Sequence, residues 1–159
     1  NPSSNLKLAS GIAPVPQALR MGVNVALGTD GASSNNNLNM FEEINLAALI
    51  HKGVNQDPLL INAMESLKMA TVNGAAALGT DNLGVIKEGA KADIILIDMD
   101  KPHLMPAHNV VSALAYSVQG SDVCLTMVDG VILYENGEFK TIDKEKVSYG
   151  IKKCCDRLF

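Results

Sequence analysis

The sequence predicts an α/β fold in two parts. Residues 1–78 read as a piece of a parallel α/β unit, and residues 79–142 as β-rich structure, closed by a C-terminal helix over 143–159. Three observations carry this. A short Pro-opened helix precedes Val23-Asn24-Val25-Ala26-Leu27, a run apolar at nearly every position, as in a strand buried on both faces. Two Asn-capped helical segments follow. From Gly79 the helical period gives way to short β-favouring runs joined by Asp-Gly and Asn-Gly, residues suited to tight hairpin turns.

Residues 1–13 are polar, rich in Ser, Asn and Gly, and read as a loop. Pro14 and Pro16 open a helix carrying Ala18, Leu19 and Met21, since Pro fits a first turn, and Gly22 ends it. The apolar run 23–27 then meets Gly28-Thr29-Asp30-Gly31, and Ala32 to Asn37 is a polar loop. Asn39 caps the next helix, with Glu42 completing a capping-box pattern. Glu42 and Glu43 suit its positive end, His51 and Lys52 suit its negative end, and Gly53 stops it. Asn62 and Glu65 repeat the cap for a helix starting near Ile61, with Met64, Leu67 and Thr71 on one face, and Asn73-Gly74 interrupts it. Ile94 to Ile97 is a strand core, and Asn109 to Tyr116 a short helix. Val123 to Val128 is a strand, Asp129-Gly130 a hairpin turn, Val131 to Tyr134 the return strand, and Asn136-Gly137 a second turn. Asp143 caps a last helix with Val147, Ile151, Cys154 or Cys155, and Leu158 in one apolar stripe.

The 159 residues are 47% hydrophobic and 19% charged, which excludes a disordered chain and supplies a core. Aromatics are 4% with no Trp, so Leu, Ile, Val, Ala and Met build that core, and Met21, Met40, Met64 and Met69 are expected to fill it. The net charge of −4 argues against a nucleic-acid partner, which usually needs a basic face. No apolar run reaches the roughly 18 residues of a membrane span. Cys124, Cys154 and Cys155 are odd in number and include an adjacent pair, so they read as reduced thiols of a cytoplasmic protein. Asn1-Pro2-Ser3 has neither an initiator Met nor a leader-like apolar stretch, and reads as a cut end.

Asp30 is the leading candidate for chemistry. It follows a buried run directly and lies between Gly28 and Gly31, and active-site residues of parallel α/β folds sit at the C-terminal ends of strands. A carboxylate there can ligate a metal or take a proton. It can equally cap the following turn by accepting a backbone N–H. Asn35-Asn36-Asn37 reads as solvated loop or as the lining of a polar substrate pocket. His51 suits a helix C-terminus, and His103 and His108 are not spaced as a helical zinc pair, so the histidines read as structural. The signatures GxxxxGK[ST], HExxH and GxSxG do not occur.

Residues 1–14, NPSSNLKLASGIAP, resemble a segment of the metal-dependent amidohydrolases, and Gly28 to Asn36, GTDGASSNN, resembles it more specifically. Together they are similar to the 5-methylthioadenosine/S-adenosylhomocysteine deaminases. Gly84 to Asp93 resembles the return into that family's small β-sandwich domain, and Val128-Asp129-Gly130 its end. The resemblance implies that the chain is the C-terminal part of a (β/α)8 TIM barrel, with its last strand at Val23–Gly28, joined to part of a β-sandwich. It implies that Asp30 is catalytic, ligates the metal, contacts substrate and accepts a proton from metal-bound water, with Ser3, Asn5 and Gly31 supporting it. The implied metal is divalent, most simply zinc, with iron or manganese as alternatives. The implied substrate is a small adenine-type nucleoside, deaminated at C6 of its ring.

The family's other ligands, a His-x-His pair and further His residues, and its proton-shuttling Glu are not among these residues. One carboxylate cannot hold a catalytic zinc, which needs about three protein ligands plus water. The chain is therefore expected to be inactive alone, and either to self-associate or to be held by the N-terminal barrel portion. A full barrel takes roughly 250 residues. Two other readings stay open. One is a related ring hydrolase, a guanine, cytosine or triazine deaminase or a chlorohydrolase. The other is a non-catalytic α/β binding module.

Overall fold

Residues 1–158 are described by a computed structural model. Eight α-helices and four strands are present among them: α1 (Pro2–Lys7), α2 (Val15–Arg20), α3 (Ala32–Asn35), α4 (Met40–Asn55), α5 (Ala63–Ala70), α6 (Val72–Ala77), β1 (Ile94–Ile97), α7 (Val110–Tyr116), β2 (Val123–Val128), β3 (Val131–Glu135), β4 (Glu138–Phe139) and α8 (Lys144–Leu158). They form two compact units. Residues 1–90 and 98–122 make a helical unit, while residues 91–97 and the chain from Val123 onward make a sheet with α8. Phe159, the last residue of the expected C-terminal helix, lies outside the described residues.

In the helical unit, Ala47 of α4, Met69 of α5 and Ile61, just before α5, are buried together, with Val15, Leu19, Val25 and Leu27 packed against them. The spacing of Ile44, Ala47, Ala48 and His51 turns one face of α4 inward. Asn39 caps α4 as expected, accepting the Phe41 N–H at 3.1 Å. The α5 cap is complete: Asn62 Oδ1 accepts the Glu65 N–H at 3.0 Å, and Glu65 Oε2 accepts the Asn62 N–H at 2.8 Å.

Several local expectations are corrected. Residues 2–7 are helical rather than loop, and this helix starts on Pro2 without a side-chain cap. The run 23–28 belongs to no strand, because a strand needs a ladder partner. Its polar groups bond to helices instead, with the Leu27 N–H donating to Met69 O at 2.9 Å and Asn73 Nδ2 to Val25 O at 2.8 Å. Glu42 does not close a capping box; its carboxylate accepts from Asn37 Nδ2. α4 runs through Gly53 and ends at Asn55, with Gln56 in the left-handed region at φ 53°. The break after α5 falls at Thr71, and Asn73-Gly74 lies inside α6. Of the four methionines assigned to the core, Met69 is buried, whereas Met21 and Met64 are exposed.

The second unit is an antiparallel sheet in the order β1-β2-β3-β4. Ile95 pairs with Thr126, Thr126 with Tyr134, and Tyr134 with Phe139. Asp129-Gly130 and Asn136-Gly137 make the two turns with positive φ throughout, the backbone twist that suits two-residue hairpins. Asp143 caps α8 through the Lys146 N–H at 2.9 Å. The stripe expected on α8 is present in sequence, but Val147, Ile151 and Leu158 are exposed.

Candidate functional site

The chain leaves residue 28 and turns sharply at Asp30, which takes φ 66°. Few non-glycine residues tolerate that region, Asp and Asn best among them. Gly31 then caps the four-residue helix α3. The Asp30 side chain folds onto this turn. Its Oδ1 accepts the Gly31 N–H at 2.7 Å, and its Oδ2 accepts the Ser34 hydroxyl at 2.6 Å. The capping alternative is thus realised, yet it does not occupy the carboxylate. Each oxygen has two acceptor directions and uses one here. Asp30 is exposed, so the remaining directions are open.

The Ser34 hydroxyl holds the Asp30 carboxyl below its ordinary value, the Gly31 N–H adds to this, and slight desolvation opposes it. The nearby Ser4 hydroxyl lowers it slightly further without forming a hydrogen bond to it. Ser4 Oγ is buried with no hydrogen-bond partner among the described residues. Asp30 is therefore an anion at neutral pH, with two fixed donors and a third hydroxyl beside it.

Of the residues expected to support Asp30, Gly31 touches it. Ser3 does not: it binds Glu43 and Asn35, in the layer behind. Asn5 lines a mostly apolar cavity of about 130 Å3, together with Leu6, Ile12, Leu27, Ala47 and His51. Burial pushes the His51 imidazole below its ordinary value, and the neighbouring Lys52 adds to this, so it sits there neutral. His103 pairs with the buried Asp122 at 2.9 Å. Asn35 is buried, whereas Asn36 and Asn37 are exposed, so the Asn run is part anchor and part solvated loop.

Residue-by-residue reading missed Ser4, Ser34 and Glu43. Ser34 had a signal, since a Ser four residues after an Asp at a helix start reaches back to it. Glu43 had one too: it lies one turn before Ala47 on the inward face of α4, where a carboxylate is out of place.

Among the described residues, no three His, Cys, Asp or Glu side chains converge as a metal site. Asp30 alone offers a free carboxylate edge at the end of the 23–28 run, which fits one position in the shell of a hard or borderline cation.

A model described as the amidohydrolase family matches residues 1–133. The 5-methylthioadenosine/S-adenosylhomocysteine deaminase of Acetivibrio thermocellus is 62% identical over 99% of this chain, and the 5'-deoxyadenosine deaminase of Methanosarcina acetivorans 56% identical over 99%. The chain spans 37% and 36% of the lengths of those two relatives. Among solved structures, a zinc-bound adenosine deaminase from Xanthomonas campestris overlays 98% of this chain with a TM-score of 0.94 at 37% identity. The chain covers 36% of that protein. A zinc complex of an atrazine chlorohydrolase from Arthrobacter aurescens overlays 95% with a TM-score of 0.87 at 30% identity, and 34% of it is covered.

Proposed function

Because this chain belongs to the amidohydrolase family, we propose that it supplies the C-terminal part of a (β/α)8 barrel deaminase acting on adenine-type nucleosides. In this reading residues 1–78 close the barrel, residues 79–142 contribute to the small β-sandwich, and the C-terminal helix follows. The observation that carries it is the Asp30 turn: an exposed, hydrogen-bonded anionic carboxylate at the end of the 23–28 run. Support comes from the match to deaminases of 5-methylthioadenosine, S-adenosylhomocysteine and 5'-deoxyadenosine over nearly the whole chain.

The proposed reaction replaces the C6 amino group of the purine by oxygen. Water adds at C6, the C–N bond breaks and ammonia leaves. Asp30 would hold one side of a divalent cation, zinc by the two zinc-bound neighbours, with the other ligands outside residues 1–158. Such a cation lowers the pKa of a bound water to about 7. The role of this chain is to hold and move the proton. Asp30 is ionised, so a free lone pair on its carboxylate can accept a proton from the attacking water and return it to the departing amine. The Gly31 N–H and Ser34 O–H fix the plane of the carboxylate, so its free edge is preoriented rather than searching for a rotamer.

The chlorohydrolase neighbour keeps a second reading alive, hydrolysis of another substituted nitrogen ring. Steady-state ammonia release by the complete protein on methylthioadenosine, S-adenosylhomocysteine, adenosine and guanine, with chloride release from a chlorotriazine, separates the two. The proposal expects kcat/KM to be highest on the 5'-thio-substituted adenosines. Preference for guanine, or turnover of a chlorotriazine alone, contradicts it.

A further inference from the structure

The Ser34 hydroxyl that meets the Asp30 carboxylate and the buried Ser4 hydroxyl of α1 each neighbour a residue bound to one buried group. Ser34 is followed in sequence by Asn35, and Ser4 is preceded by Ser3. Both Asn35 and Ser3 are bound to Glu43. Asn35 Nδ2 donates to Glu43 Oε1 at 2.8 Å and to Ser3 Oγ at 2.6 Å. Ser3 donates its N–H to Glu43 Oε2 at 3.1 Å and its hydroxyl to Oε1. The Asn35 amide is itself fixed, because its Oδ1 accepts the Leu38 N–H at 2.6 Å.

Glu43 is 0% exposed and lies on the face of α4 that carries Ile44, Ala47 and Ala48. It forms no ion pair among the described residues. A buried carboxylate without a cation persists only when hydrogen bonds replace its lost water. An apolar side chain would pack here at no such cost, but it would leave the donors of Ser3 and Asn35 without acceptors. Three donors from two separate segments, α1 and α3, are thereby tied to one point.

We infer that Glu43 is a positioning residue for Asp30, acting through Asn35 on the turn that carries Ser34 and through Ser3 on the helix that carries Ser4. This rests on the reading of Asp30 as metal ligand and proton acceptor. Ser34 holds the carboxylate directly, and Glu43 ties the α3 segment that carries Ser34 to α1 through Asn35 and Ser3. Loosening it lets the carboxylate plane rotate. The site keeps its residues but loses its preorganised edge.

The test uses the full-length protein with Glu43→Gln, Ser3→Ala and Asp30→Asn. Its readouts are zinc affinity by competition with a chromophoric chelator, kcat and KM, and the urea midpoint. Gln turns an N–H2 toward one of the Ser3 or Asn35 donors and breaks the convergence. Zinc binding is expected to weaken about 10- to 100-fold, as for other groups that orient a ligand, with kcat reduced and KM little changed. Ser3→Ala removes one half-buried hydroxyl, and is expected to weaken zinc about tenfold with a near-normal urea midpoint. It decides the question if Glu43→Gln does not fold. A lowered urea midpoint with zinc affinity and kcat unchanged in the folded variants makes Glu43 purely structural and overturns the inference. Asp30→Asn separates the two ideas. If it leaves zinc affinity and turnover intact, the Asp30 reading itself fails, and the inference falls with it. If Asp30→Asn abolishes both while the Glu43 and Ser3 variants behave as wild type, only the inference fails.

Discussion

Asp30→Asn in the complete protein is expected to lower kcat for adenine-nucleoside deamination by about 10²- to 10⁴-fold, the range that a positioned proton-transfer group contributes. The substitution keeps the size of the side chain and its acceptor for the Gly31 N–H at 2.7 Å. It removes the negative charge, and with it both the anionic ligand and the proton acceptor. Ser34 can turn its hydroxyl to accept from the new amide, so the turn survives. Because Asp30 is exposed, the urea midpoint is expected to stay close to the wild-type value. Loss of turnover with retained stability is therefore the signature. Activity within about twofold of wild type removes Asp30 from the chemistry.

Gly84→Ala is expected to be the most damaging single substitution away from that site. Gly84 has φ +72°, and a Cβ there would lie 2.8 Å from Thr71 C, 2.9 Å from Thr71 O and 2.9 Å from Val72 N. These are backbone atoms at the junction of α5 and α6, where Thr71 takes φ −129° and ψ −96°. No side chain can rotate away to relieve the contact. The left-handed conformation costs about 1–2 kcal/mol with a Cβ. The overlap adds about 1–3 kcal/mol, as for other overpacked positions. A total of about 2–5 kcal/mol is a large share of a typical stability of about 5–15 kcal/mol. Urea denaturation of the complete protein measures it. A change under about 0.5 kcal/mol would show that the 84 loop moves freely off the α5–α6 junction.

The elements that sequence reading placed well are those fixed by local chemistry. The Asn62–Glu65 capping box, the Asp129-Gly130 turn and the Asn39 cap each need only residues within a few positions. The errors lie where a distant group decides. Pro2–Lys7 has no cap of its own and is tied through Ser3 to a carboxylate 40 residues away, so its polar composition reads as loop. The run 23–28 has strand composition, but composition does not supply a ladder partner. Its N–H and C=O groups meet Met69 and Asn73 instead. Glu42 had the right spacing for a capping box and was taken by Asn37, a competitor in the adjoining loop.

At the site, Asp30 was legible from its place between glycines after an apolar run. Its partners were legible only in part. Ser34 is within reach along the chain, but the residues that hold its segment, Ser3 and Glu43, come from other helices. Glu43 was read as a favourable charge near a helix N-terminus, and it does stand in the first turn of α4. Its complete burial, bound by Ser3 and Asn35, was not legible.

The proposed reaction is hydrolytic deamination at C6 of an adenine-type nucleoside. It is tested most directly by incubating the complete protein, loaded with zinc, with 5-methylthioadenosine in ¹⁸O-labelled water, and analysing products by mass spectrometry. The expected product is the 6-oxo nucleoside with one labelled oxygen on C6, with equimolar ammonia and an intact glycosidic bond. Release of free adenine, or recovery of unchanged nucleoside from correctly folded, zinc-loaded protein, would contradict it.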